Sequence, residues 1–200
     1  MTPSTRPARF GLLLSVLLAM LPMAALLAAD ARANAGSEAG FTVSSVITRL
    51  VNGTYVMDAQ IDYRFSERAL EALDNGVPLT LEVHIQVRPK GAWIWGESLV
   101  DQRLRYRIRY KPLSERYLVS RLPGESGRTY VTRDAAVAAL GEIQELQLLD
   151  HDRLDPDRRY EVHIRAALDI EELPLPLRPM AYLYPAWKQS TEWTKWPLTP

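Results

Sequence analysis

"TYVMDAQIDYRFSERALEALDNG", residues 54–76, changes its period halfway along. Tyr55, Met57, Ala59, Ile61, Tyr63 and Phe65 fall on one face, and Asp58, Gln60, Asp62 and Arg64 on the other. A period of two sends alternate side chains to opposite faces of a strand. Beyond Ser66 the spacing lengthens, and Ala69, Leu70 and Leu73 make the apolar stripe of a short helix. Ser66 is placed to cap the orphan amides of that helix and Gly76 to stop it. A half-buried strand followed at once by a short amphipathic helix sets the terms for the rest of the chain.

The alternation recurs on both sides. "FTVSSVITRL" (41–50) precedes it across Asn52-Gly53, a pair suited to the positive φ angles of a tight hairpin. "VPLTLEVHIQVR" (77–88) turns Leu79, Leu81, Val83, Ile85 and Val87 to one side. "QRLRYRIRYK" (102–111), "RYLVSRL" (116–122), "RTYVT" (128–132) and "RYEVHIRAALDI" (159–170) read the same way. A second helix is expected over 134–143, capped by Thr132. Strands with one dry and one wet face, joined by hairpin-length turns, belong to antiparallel sheets. Two such sheets pack dry face to dry face. The expected fold is all-β with two short helices: an antiparallel β-sandwich of immunoglobulin-like type, the helices serving as crossovers. A sheet with helices packed on one face is the alternative.

The first 33 residues differ from the rest. Arg6 and Arg9 precede an uncharged apolar run from Phe10 to Ala29, and Ala31-Arg32-Ala33 offers a small-residue cleavage pattern. This describes a secretory signal peptide, or, since the run is long enough to span, an N-terminal membrane anchor. The expected location is periplasmic, with inner-membrane anchoring facing the periplasm as the alternative. Residues 34–40, "NAGSEAG", read as a flexible lead-in, and 41–200 as a single sandwich domain.

Formal net charge is zero, from 24 Lys+Arg and 24 Asp+Glu. Arg6, Arg9, Arg32 and Asp30 lie in the first 33 residues, which leaves 21 cations against 23 anions. That balance argues against a nucleic-acid binder. There is no cysteine, so disulfides, thiolate metal sites and Cys nucleophiles are excluded.

One stretch is locally basic. Arg103, Arg105, Arg107, Arg109 and Lys111 share the wet face of their strand, about 7 Å apart. Two readings stay open. The stripe is a charge lattice with Asp58, Asp62, Glu82, Glu161 or Asp169 on other wet faces, each pair contributing about 0.2–1 kcal/mol. Or it is a docking face for anionic lipid headgroups or an acidic partner. Trp93 and Trp95, in a segment flanked by Gly91 and Gly96, form a candidate aromatic platform. The aromatics of the C-terminus, Tyr182 to Trp196, are expected to plug the open end of the sandwich.

Signals for metal and catalysis are weak. His84 and His163 lie on wet faces and converge only if their strands are neighbours. Two histidines without a third ligand do not make a zinc site. "DHDRLDPD" (150–157) lacks the ligand order and the glycine of a calcium loop. "GESG" (124–127) lacks the spacing of a nucleophile elbow.

From Phe41 to Leu198 the chain resembles a proteobacterial family of exported proteins, the domain of unknown function DUF4390. The resemblance rests on "YVMDAQIDYRFSERALEALDNGVPL" (55–79), "YRIRYKPLSERYLVS" (106–120) and "PLRPMAYLYPAWKQSTEWTKWPL" (176–198). It implies a signal-bearing envelope protein, encoded beside a membrane sensor kinase in many members, and supplies no catalytic residues. The expectation is therefore a non-catalytic binding or adaptor module without cofactor or metal, acting on an envelope protein partner such as a membrane sensor kinase, or on an anionic membrane surface. The alternative is a carbohydrate-binding or glycan-acting envelope protein using Trp93, Trp95 and the nearby Glu97 and Asp101.

Overall fold

Each alternating stretch becomes a strand. A computed structural model describes residues 39–92, 96, 98–124 and 126–199. These belong to one of the two units of the chain, Ala39–Pro200. The expected signal or anchor, residues 1–33, lies outside the described residues, as do 34–38 of the lead-in. Among the described residues no helix is long and apolar enough to cross a membrane.

The order is β1 (Gly40–Val51), β2 (Thr54–Arg64), α1 (Glu67–Asp74), β3 (Leu79–Pro89), β4 (Val100–Lys111), β5 (Arg116–Leu122), β6 (Gly127–Tyr130), α2 (Arg133–Leu140), β7 (Glu142–Asp150), β8 (Tyr160–Leu168), α3 (Arg178–Leu183) and β9 (Thr194–Pro197). One sheet runs β1-β2-β7 and the other β6-β5-β4-β3-β8-β9. Every pairing is antiparallel. In immunoglobulin lettering β1, β2 and β7 stand as A, B and E, and β3, β8 and β9 as C, F and G. β4 and β5 extend the C side as C′ and C″ do in variable domains. β6 continues the large sheet instead of joining the small one.

The local chemistry explains the boundaries. Asn52 and Gly53 take φ angles of 50° and 82°, closing the β1–β2 hairpin as the Asn-Gly pair predicts. Ser66 caps α1, its hydroxyl accepting from the Ala69 amide, and Thr132 caps α2 by accepting from Ala135. α2 ends at Leu140, earlier than the sequence pattern predicts, because β7 begins at Glu142. Gly141 lies so close to β2 that its carbonyl accepts from the Ile61 amide at 2.9 Å.

The core lies between the sheets. β3 is central, and its Leu79, Leu81, Val83, Ile85 and Val87 are wholly buried. Each such side chain contributes about 1.5–3 kcal/mol by leaving water. They meet Met57, Ala59 and Ile61 of β2, with Ile108 of β4 and Val162, Ile164 and Ala166 of β8 in the same cluster. Phe41, Tyr63 and Phe65 close one end of the small sheet, Phe41 meeting Tyr63 edge-on at 4.8 Å between centroids.

Register sorts the loops between two ends. Gly40 stands opposite Arg64, Leu79 opposite Ile108, and Leu81 opposite Leu168. The chain's entry at Gly40, α1, the β4–β5 turn and the exit of β8 towards α3 therefore share one end, called the entry end below. The β1–β2 turn, the start of β8 and the tail lie at the other, where Thr48 Oγ1 donates to the Thr199 carbonyl at 2.9 Å.

A Cβ at position 141 would run into the Ile61 carbonyl oxygen. Gly141→Ala is expected to lower unfolding free energy by about 1–3 kcal/mol through overpacking, measured by urea denaturation. Unchanged stability would mean that β2 and β7 separate more readily than this contact implies.

Candidate functional site

The five cations of β4 lie in a row on the outer face of the six-stranded sheet, because β4 turns Leu104, Tyr106 and Ile108 inward. The row divides in two. Arg103 Nη1 lies 3.5 Å from Glu82 Oε1. Arg105 Nη2 reaches Asp169 Oδ2 at 3.4 Å and Glu172 Oε1 at 2.6 Å. Arg107 Nη2 lies 3.0 Å from Glu172 Oε2, while its Nε donates to Thr80 Oγ1 at 3.3 Å. Glu172 thus spans two arginines with its two oxygens. Among the described residues no carboxylate lies within ion-pair distance of Arg109 or Lys111. Arg109 stands opposite Leu118 and Lys111 opposite Arg116, so β5 brings no acid to them.

Of the five acids proposed from sequence as partners, two take part. Glu82 sits across from Arg105 in register and Asp169 follows β8. Asp58 and Asp62 are on the small sheet, where Asp58 pairs with Arg49 and Asp62 accepts from Ser44. Glu161 lies on the large sheet but turns to His163 at 3.6 Å.

Glu172 was not foreseen. Asp169 Oδ1 accepts from the Glu171 amide at 3.1 Å and starts a 3-10 turn over Ile170–Glu172. That turn swings Glu172 back over the sheet. An Asp three residues before a Glu at a strand end is the only sequence trace, and it is a weak one.

A second cluster lies further along the same face. His84 Nε2 meets Asp101 Oδ1 at 2.7 Å, and Gln86 Nε2 donates to Asp101 Oδ2 at 2.7 Å. The Trp193 ring meets the His84 ring edge-on at 5.0 Å. Burial alone would push the Asp101 carboxyl up, but the bonds from His84 and Gln86 win and hold it below the usual range. His163 lies on the neighbouring strand as the convergence of the two histidines requires, yet it pairs in register with Gln86, while His84 pairs with Arg165. Burial, helped by Lys195, lowers the His163 pKa. Each histidine keeps its own acid. Among the described residues no three His, Cys, Asp or Glu side chains are grouped to hold a metal ion.

Trp93, Trp95 and Glu97 lie outside the described residues, and Asp101 is engaged with His84 and Gln86. The C-terminal aromatics divide instead of plugging one end together. Trp187 is buried and Trp196 packs against the core, whereas Tyr182, Tyr184 and Trp193 are exposed.

Strand order and outer-face charge together define an immunoglobulin-type sandwich whose large sheet carries a partly neutralised cationic stripe. A family model described as Domain of unknown function (DUF4390) matches residues 38–197, and the chain belongs to that family. No curated protein and no solved structure matches it.

The Glu172 carboxyl is held below its ordinary 4.5, chiefly by the hydrogen bond from Arg105 and then by the charges of Arg105 and Arg107. A depressed folded-state pKa adds stability above the unfolded pKa and loses it as pH falls through the folded value. Glu172 is about a third exposed, so solvent screening limits the gain to about 1 kcal/mol. Glu172→Gln is expected to lower stability by that amount at pH 7 and to flatten part of the loss as pH falls below the ordinary 4.5 of a glutamate. Melting followed across that range checks it. Parallel acid profiles for the two proteins would mean that the carboxylate contributes nothing.

Proposed function

We propose that the protein is an exported envelope protein that works as a non-catalytic binding or adaptor module. Its docking point is the unneutralised end of the β4 stripe: Arg109 and Lys111, with Arg116 across the hairpin. One observation carries this reading. The same strand supplies three arginines that are paired with Glu82, Asp169 and Glu172, and two cations that face no carboxylate among the described residues. Paired charges in water contribute little to a partner's binding, because their field is already cancelled. Unpaired ones project a potential that steers an acidic surface over a Debye length of about 8–10 Å. The export pattern of the first 33 residues supports the location. The partner class implied by the family resemblance is an envelope protein such as a membrane sensor kinase, met through an acidic segment.

The test is cross-linking in cells with the full chain. Arg109→Glu with Lys111→Glu is expected to reduce partner capture about tenfold or more, while Arg103→Gln, on the neutralised side, leaves it near wild type. Wild-type capture should weaken as salt rises in lysed envelopes. Equal capture by the double variant and wild type would rule the stripe out as the docking point.

A further inference from the structure

Eleven large apolar side chains are exposed among the described residues, and seven of them lie at the entry end. Leu113, at the tip of the β4–β5 turn, is fully exposed, and Val131, just past β6, is 66% exposed. Leu175, Met180, Tyr182, Leu183 and Tyr184 lie on the segment that follows β8 and includes α3. By strand spacing the start of the α3 segment, at β8, lies about 10 Å from β4 and about 19 Å from β6 across the end of the sheet. Scattered single apolar residues need no explanation, but a concentration at one end does.

The chemistry of this end is that of a bilayer interface. Leucines stand at the tips and tyrosines beside them, with cations and acids both nearby: Glu115 shares the turn with Leu113, and the Tyr182 hydroxyl donates to Glu171 Oε1 at 3.2 Å. Lys111 and Arg116 face each other at the base of the turn that holds Leu113, and Arg68 lies over the Tyr184 ring at 4.9 Å. Tyrosine collects at membrane–water interfaces, where its ring is buried and its hydroxyl stays wet. Lys and Arg beside an inserted apolar side chain meet the anionic headgroups.

The path of the chain points the same way. On the anchor reading of Phe10–Ala29, nine residues join that run to Ala39, a tether of at most about 30 Å. It joins the sandwich at the entry end, since Gly40 stands opposite Arg64, next to α1.

We infer that the entry end of the sandwich is a lipid-contacting surface. Leu113, Leu175 and Leu183 enter the headgroup region of an anionic bilayer, and Tyr182 and Tyr184 lie at its level. The inference rests on the reading of the chain as an envelope protein; it shares Lys111 and Arg116 with the proposed docking point, but its apolar contacts need no protein partner. In this orientation the strands stand upright on the membrane and the opposite end, with the His151–Arg153 turn, points away from it.

The absence of cysteine makes the test clean. Leu113→Cys, Leu183→Cys and Asp152→Cys each give the full chain one label site, the last at the far end. Each is labelled with an environment-sensitive dye and reconstituted into vesicles of phosphatidylethanolamine and phosphatidylglycerol carrying headgroup nitroxides. Quenching at 113 and 183 is expected to exceed that at 152 by at least threefold. Equal quenching at all three sites, or none at 113 and 183, overturns the inference. So does a dye shift at 113 and 183 that needs cell envelopes and is absent in protein-free vesicles, since a protein then covers this end. Quenching that survives Arg109→Glu with Lys111→Glu while partner capture is lost supports lipid contact even as the docking point is confirmed separately. Quenching that survives when capture never depended on those cations supports it after the docking point has failed.

Discussion

Everything in this domain depends on β3 being buried on its inner face and bordered on both edges. Its hydrogen bonds go to β4 on one side and β8 on the other, so no edge is left for water. The five inward residues are fully buried, and even the outward Thr80 and Gln86 are covered. A central strand with that many apolar neighbours cannot slip by one residue, because a slip would send every dry side chain to the wet face. The register of β4 and β8 is then fixed, and with it the position of every charge on the outer face.

The charge lattice is a consequence of that registry and not its cause. Exposed pairs contribute too little to set strand order. They lower the cost of lining up five cations on one strand. Without Glu82, Asp169 and Glu172, Arg103, Arg105 and Arg107 would repel one another at about 7 Å spacing. The neutralised part is the part that stands opposite the central strand. The part with no carboxylate partner among the described residues lies beyond it, towards the hairpin.

The elements that rest on local rules were readable in the sequence. Period-two alternation located β1 to β5 and β8, Asn52-Gly53 set the first hairpin, and Ser66 and Thr132 marked both helix starts. Elements that depend on distant partners were not. β7 pairs with β2 through two register shifts, and Glu145 takes a φ of 50°. Its alternation is therefore broken where a pattern search needs it whole. β9 is four residues with a proline and exists because β8 offers an edge. α3 begins between prolines and has no side-chain cap. The candidate site divides likewise. The stripe was legible because it lies on one strand, and Glu82 because its strand alternates. Glu172 was hidden because its placement depends on a turn made by Asp169.

Ser66 serves two clients. Its hydroxyl caps α1 and also donates to the Ala186 carbonyl, while its own amide donates to the side chain of Gln189. Thr48, in the first strand, is clasped by Thr199 through its carbonyl and amide. The partners are separated by 120, 123 and 151 residues. Contacts so far apart in sequence close late in folding. A chain made from its N-terminus therefore holds an incompletely satisfied helix start and an unclasped first strand until residues 186–199 have been added. A domain that lacked residues 186–199 would keep most of its core but neither clasp, and the defect would lie at both ends of the sandwich at once.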